Sequence, residues 1–278
     1  MNGYFIGFKR IFSLFIGIWL MVSAAYGEDK KLLVVGEEFP PFEFRQNGKV
    51  VGIDIDIATH IFNKMDIPVK FDIIPWKLAW YMVEKGRADA VLSTSRKKKR
   101  KSYVWYPQED MWVSEFVFFV RKDNIQPDFR GYETAVKKKL KIGFINGNSY
   151  HPSFWKAFPY KDGSTVFKGD MASVHDLLNN QLDGVSNLKI NLRKLAKGRV
   201  DLFPADKTCG VYTANLLGLG DKLTFYDAVL YSKPYPMPFV RRSGYPGIKI
   251  VAEKFEQELK LLKNGGEYKK IFDKWLEK

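Results

Sequence analysis

The hydrophobic pattern changes character several times along the chain, and each change marks an element. Residues 31–36 form a short apolar run closed by Gly36, the pattern of a buried strand. The loop at 37–41 is set by Pro40 and Pro41. In 54–65 the apolar positions Ile55, Ala58, Ile61, Phe62 and Met65 fall on one helical face. Residues 69–74 predict a second strand and 76–85 a short helix stopped by Gly86. Residues 88–92 predict a third strand running into Ser93, Thr94 and Ser95. This β-α-β-α-β order implies a largely parallel sheet that binds ligands beyond the carboxyl ends of its strands.

Residues 115–121 are strongly apolar and β-prone, and 122–139 are polar without a clear period. A second unit opens at 140–145, followed by Asn146-Gly147-Asn148-Ser149 and a helix near 150–158. Residues 165–168, helices near 171–182 and 191–197, and a strand at 200–203 complete another α/β set. Residues 207–217 read as helix, 228–242 contain a second extended apolar run, and 248–263 and 267–275 are amphipathic helices around Gly265-Gly266. The organisation is two α/β units, the first completed by the C-terminal helices. Extended segments near 115–121 and 228–240 cross between them.

Residues 1–27 read as a targeting segment. Lys9 and Arg10 precede an apolar run at 11–22, and Ala25-Tyr26-Gly27 supplies a small-x-small cleavage site. The run is short for a membrane span, and no later stretch reaches the roughly 18 apolar residues a span needs. The expected product is an exported, soluble, periplasmic protein.

Composition then excludes several classes. Hydrophobic residues at 46% and charged residues at 27% fit a globular fold and exclude a disordered chain. A single cysteine, Cys209, excludes an internal disulfide and a Cys-based zinc site, and reads as a small buried hydrophobe. Three histidines leave little for a metal site, so none is expected. His60 and His175 lie in helical stretches, and His151 follows the Asn146–Ser149 loop. The formal charge of +14 admits nucleic acid, anionic lipid or a carboxylate ligand as partner. Export argues against nucleic acid. No GxSxG, HExxH or Walker pattern is present.

Several segments carry a family resemblance. Glu38-Phe39-Pro40-Pro41-Phe42-Glu43-Phe44, then Gly48, then Gly52-Ile53-Asp54-Ile55-Asp56, resembles the opening of the bacterial periplasmic solute-binding proteins for polar amino acids. Gly86-Arg87-Ala88-Asp89-Ala90 resembles that family's Gly-x-x-Asp-Ala strand, and Arg100 with Tyr106-Pro107 its Arg-then-Phe-Ser-x-Pro element. Gly198-Arg199-Val200-Asp201, then Asp206, resembles its second-lobe Gly-Arg-Val-Asp strand. The matches run in order over residues 31–278.

The resemblance implies an α/β, two-lobed flytrap fold, each lobe a mostly parallel sheet flanked by helices, joined by two crossover strands. The lobes are expected at 28–117 plus 236–278, and at 118–235. A ligand in the cleft would bridge the lobes and favour a closed state. By position Arg100 is the carboxylate clamp, with Ser93, Thr94 and Ser95 as hydroxyl and backbone donors. Arg100 also sits in the basic run at 96–101, where a solvated face is the plain alternative. The segment from Asp89 to Arg100 is one residue shorter than in the amino-acid binders, which leaves Arg96 and Lys101 as alternative contacts.

Asp206 is the candidate ammonium partner, or simply a helix N-cap. Phe39 is placed to stack on the ligand or to lid the core. Trp76 is placed as cleft wall or helix-start packing, and Glu38 as a cation-binding or ordinary surface carboxylate. Asn148 and Ser149 lie where backbone N–H groups before a helix form an anion site, or where they merely cap it. Asp54 and Asp56 are read as capping or orienting the following helix. The resulting expectation is a monomeric, cofactor-free binding protein. It would deliver an amino acid or small carboxylate to an ABC transporter permease in the inner membrane. A sensory protein acting through a membrane receptor and a prephenate-type dehydratase are the alternatives. For the dehydratase, Glu38 and Asp206 are the available acids.

Overall fold

In this computed structural model residues 30–146, 148, 150–168 and 175–276 are described. The predicted targeting segment, Gly147, Ser149 and the start of the helix expected near 171–182 lie outside them. The first unit is built on a five-stranded sheet. Strand β1 (Leu32–Gly36) lies between β4 (Val69–Ile73) and β5 (Ala90–Val91), parallel to both. Strand β13 (Phe239–Val240) is antiparallel to β5 and carries β6 (Val104–Trp105) on its far side. The buried pattern of β1 follows from cover on both faces, as parallel strands require.

Helices α1 (Ile53–Lys64) and α2 (Trp76–Glu84) are the two crossovers expected between β1, β4 and β5. Helix α1 turns Ile53, Ile57, Ala58, Ile61 and Phe62 fully inward. Phe62 meets Phe255 of α7 (Ile248–Asn264) at 5.1 Å between ring centroids. Each buried phenylalanine contributes about 1.5–3 kcal/mol by leaving water. The helix α8 (Gly266–Leu276) closes the same core through Ile271 and Trp275.

The start of α1 depends on Gly52. Its φ is +137°, and a Cβ there would lie 2.2 Å from the Phe42 carbonyl oxygen. That close approach lets the Ile53 and Asp54 amides donate to the Pro41 and Phe42 carbonyls at 2.9 and 2.8 Å. The 38–44 motif is thereby bolted to the first turn of α1. Between them β2 (Phe44–Gln46) and β3 (Lys49–Val51) form a hairpin around Asn47 and Gly48, both at positive φ.

The second unit departs from the expected mostly parallel sheet. Strands β8 (Ile142–Ile145) and β9 (Leu182–Val185) are parallel, and Ile142 bridges Leu202 in the same sense. The ten-residue β7 (Trp112–Arg121) instead meets every partner antiparallel. These are β10 (Phe203–Asp206), β11 (Leu223–Phe225) and β12 (Tyr231–Tyr235). The cause is topological: chain that leaves along β7 comes back along β10, β11 and β12.

Helices α3 (Tyr132–Lys137), α4 (Pro152–Ala157), α5 (Leu188–Ala196) and α6 (Lys207–Leu216) cover this unit. Aromatic residues fill its core, with Phe144, Phe154, Trp155 and Phe158 almost wholly buried.

Several sequence expectations shift here. The helix expected near 171–182 is replaced, in its described part, by a 3-10 turn at His175–Leu177 and then β9. Pairing to β8 overrides the weak β propensity of Leu182-Asp183-Gly184-Val185. Residues 165–168 belong to no strand or helix. Helix α3 emerges inside the stretch that showed no period. The strand expected at 200–203 lies instead at Phe203–Asp206, which brings Asp206 to a strand's carboxyl end.

Candidate functional site

A cleft of about 520 Å³ opens between the loop at 38–40 of the first unit and the second unit. Its size suits a small polar molecule. From the first unit come Glu38, Phe39 and Pro40; β7 and β12 contribute Ser114, Phe116 and Tyr235; the second unit contributes Ile145, Asn148, Tyr150, Asn187 to Lys189, Pro204 to Asp206, Cys209 and Thr213.

Asp206 is the buried charge on this wall, 7% exposed. It ends β10 and N-caps α6. One carboxylate oxygen accepts from the Cys209 amide at 2.7 Å and the other from Ser114 Oγ at 2.6 Å. Burial pushes its carboxyl above the ordinary range, and those donors pull it back toward ionisation. Thus Asp206 both caps α6 and presents a carboxylate to the cleft. A carboxylate held this way, with no cation paired to it among the described residues, is suited to a ligand ammonium.

Phe39 is held against Phe42 at 5.5 Å, Trp112 at 6.2 Å and Tyr235 at 6.5 Å. Trp112 stacks on Phe42 at 3.5 Å and on Tyr235 at 4.2 Å. The result is an aromatic slab running from the first unit's core to the cleft. Glu38 is exposed at the rim and accepts from the Arg45 amide at 3.1 Å. Asn148 reaches the cleft, and its amide donates to the Ile145 carbonyl at 3.2 Å. Ser149 lies outside the described residues. Cys209 is buried as expected and also borders the cleft.

Five sequence candidates are not in the lining. Arg100 donates to Thr94 Oγ1 at 2.7 Å and stacks over Trp80 at 3.9 Å, with Trp76 at 5.5 Å. The aromatic pair and the threonine hold the guanidinium outside the lining of this cavity. Ser95 offers its carbonyl to Tyr106 Oη at 3.4 Å. Arg96 is tied to Asp110 and to the Pro107 carbonyl, so it is engaged elsewhere.

Ser93 turns inward because its φ is +44°. Its hydroxyl lies 2.6 Å from Glu43 and 3.2 Å from Asp54, both fully buried. Asp54 therefore does not cap α1, and Asp56 instead accepts from Lys274 at 2.7 Å and Trp275 at 2.8 Å.

Glu43 and Asp54 form a buried carboxyl pair behind the slab. Burial and the neighbouring Asp54 charge push Glu43 well up. Burial pushes Asp54 up to about 7. Trp112 Nε1 makes no hydrogen bond of normal geometry, although it lies near enough to favour ionised Asp54.

Among the lining residues that sequence reasoning missed are Ser114, Phe116, Tyr150 and Tyr235. The alternation within 112–116 and 231–235 was available as a signal for two of these strands' inward faces. Which face met the cleft was not.

The family model of bacterial extracellular solute-binding proteins, family 3, matches residues 32–278. The chain belongs to this family. An arginine-binding periplasmic protein of Mannheimia haemolytica is 24% identical over 272 residues, covering 96% of this chain and 98% of the relative. Among solved structures, a polar amino acid ABC uptake transporter substrate-binding protein from Streptococcus thermophilus shares the fold. It aligns at TM-score 0.65 and 21% identity, over 89% of this chain and 86% of the other. A histidine kinase sensor domain with similarity to periplasmic binding proteins aligns at TM-score 0.59 and 21% identity, over 89% and 96%.

The chain is thus a member of this solute-binding family with a periplasmic-binding-protein-like fold. No helix among the described residues is long and apolar enough to cross a membrane. Among the described residues no group of three or more His, Cys, Asp or Glu side chains is placed to hold a metal ion.

Proposed function

We propose that this protein captures an amino acid or similar small carboxylate in the cleft and delivers it to an ABC importer in the inner membrane. Asp206 carries the reading: a buried carboxylate, oriented by two donors and facing an aromatic wall, suits a ligand ammonium. The names of the arginine-binding relative and of the importer component support it. In this reading residues 1–27 are removed on export to the periplasm and the mature protein is a monomer. The lobes divide near 117/118 and 235/236, with β7 and β12 as the crossovers. Closure would bring Arg100 and Thr94 onto the ligand carboxylate. In this reading the protein binds its ligand without transforming it.

Sensing through a separate receptor is the second reading, favoured by the kinase sensor-domain neighbour. It uses the same site, and capture of an importer permease rather than a receptor by the loaded protein separates the two.

A thermal-shift screen tests the binding claim. The protein lacking residues 1–27 is unfolded and refolded to strip carried ligand, then heated with each amino acid and with small carboxylates. A ligand at about 100 times its dissociation constant adds roughly 2.7 kcal/mol. The melting temperature should then rise by roughly 5–10 °C for a chain of this size. A hit that shrinks in Arg100→Ala supports the clamp, and one that persists removes Arg100 from the site. No shift with any compound refutes the capture reading.

A further inference from the structure

Strand pairing fixes which side chains share the cleft floor. In the β7–β12 ladder Trp112 faces Tyr235, Ser114 faces Lys233 and Phe116 faces Tyr231. Facing residues of an antiparallel pair project to the same side, and so do alternate residues of each strand. Ser114, Phe116 and Tyr235 line the cleft. Lys233 therefore projects to the same side as these residues, between Tyr231 and Tyr235, just outside the lining itself. Its half-burial contrasts with Ser232 and Pro234 on the opposite, exposed side. Its Nζ lies 5.0 Å from the Tyr235 ring centroid, so the ammonium leans along the aromatic wall.

No carboxylate balances this ammonium among the described residues. Asp206 binds Ser114, the cross-strand partner of Lys233, yet makes no ion pair with Lys233. Burial lowers the lysine's pKa, and the charged neighbours adding to that effect, Lys97 and Arg100, are also cations. Arg100 is engaged by Thr94 and two tryptophans, none of them anionic. Lys233 thus feels two other cations and pairs with no carboxylate among the described residues, while Asp206 and Glu38 are the carboxylates in the cleft lining. A half-buried ammonium in like-charged company is costly until an anion arrives.

We propose that Lys233 binds an anionic side-chain group of the ligand, so that the cleft selects an acidic amino acid over its amide and over a basic one. The ligand ammonium sits at Asp206, one carboxylate at Lys233 and the other toward Arg100. The inference rests on the amino-acid reading above and narrows it to one class. Lys189 also borders the cleft but is exposed on the first turn of α5, where solvent already screens it.

The test is calorimetric titration of the stripped protein with glutamate, aspartate, glutamine, asparagine and arginine. The wild type should bind glutamate or aspartate at least about tenfold more tightly than the matching amide, which is about 1.4 kcal/mol. In Lys233→Met that ratio should fall to about one, with the amide's own affinity changed by less than about threefold. Lys139→Met, in a separate hollow outside the cleft, should keep the acid preference, and Lys233→Arg should retain most of it. If Lys233→Met does not fold, Lys233→Gln replaces it, and the wild-type ratio stands on its own. A wild type that binds an amide or arginine as tightly as the acid overturns the assignment. So does an acid preference that survives loss of the Lys233 charge. Either result leaves the amino-acid reading intact, whereas no binding of any amino acid removes both.

Discussion

Asp206→Asn should weaken ligand binding by at least about thirtyfold while leaving the unliganded protein's melting temperature nearly unchanged. The two effects separate because Asp206 has two jobs. As N-cap of α6 it needs only a side-chain oxygen for the Cys209 amide, and asparagine caps about as well as aspartate. As ammonium partner it needs a charge. Removing one partner of a buried, hydrogen-bonded charge pair costs roughly 2–5 kcal/mol, which is about thirtyfold to several thousandfold in affinity.

Asp206→Ala loses the cap as well. It should lower the melting temperature by roughly 2–4 °C, the effect of about 1 kcal/mol in a chain of this size. Titration calorimetry and thermal melts on both variants check this. An asparagine variant that binds like the wild type would leave Asp206 as a cap only.

The second large effect is on stability against pH. Glu43 and Asp54 are fully buried, and both carboxyls are pushed up, Asp54 to about 7. In the unfolded chain they titrate near 4. Above about pH 4 the folded protein therefore holds protons that the unfolded chain has released. Stability is complete below that range and is lost as pH rises through the folded values. Each such proton costs up to about 1.4 kcal/mol per pH unit.

The charges of Asp54 and Glu37 raise Glu43, and Ser93 opposes by hydrogen bonding; on Asp54, Ser93, Glu43 and Trp112 all oppose the effect of burial. The melting temperature should fall by on the order of 5 °C or more between pH 5 and pH 8. The double variant Glu43→Gln with Asp54→Asn should flatten that slope. A melting temperature that is level from pH 5 to 8, or a slope equal in both proteins, would contradict the buried pair.

The first unit was legible because its elements are set locally. The apolar run of β1, the helical face from Ile55 to Phe62 and the stop at Gly86 each imply one conformation. In the second unit long-range pairing decides. Leu182-Asp183-Gly184-Val185 has little strand character of its own and becomes β9 only beside β8. Strand β10 begins at Phe203 rather than Val200 because its register against Phe116 to Phe119 of β7 sets where it runs.

The site divides in the same way. Asp206, Phe39 and Glu38 followed from motif position, since each sits at the end or opening of a motif segment. Ser93 did not, because a positive φ turns its hydroxyl toward Glu43 and away from the cleft. Tyr235, Ser114 and Lys233 share a face only through a ladder between segments more than a hundred residues apart, which no local pattern reveals.

Amide hydrogen exchange on the stripped protein, with and without its best ligand, tests the central claim most directly. If the cleft is the binding site, ligand should slow exchange at residues 38–44, 112–117, 204–210 and 231–235, and leave the basic hollow around Lys139, Lys141 and Lys161 unchanged. Protection confined to that hollow, or none along the β7–β12 ladder at saturating ligand, would contradict it.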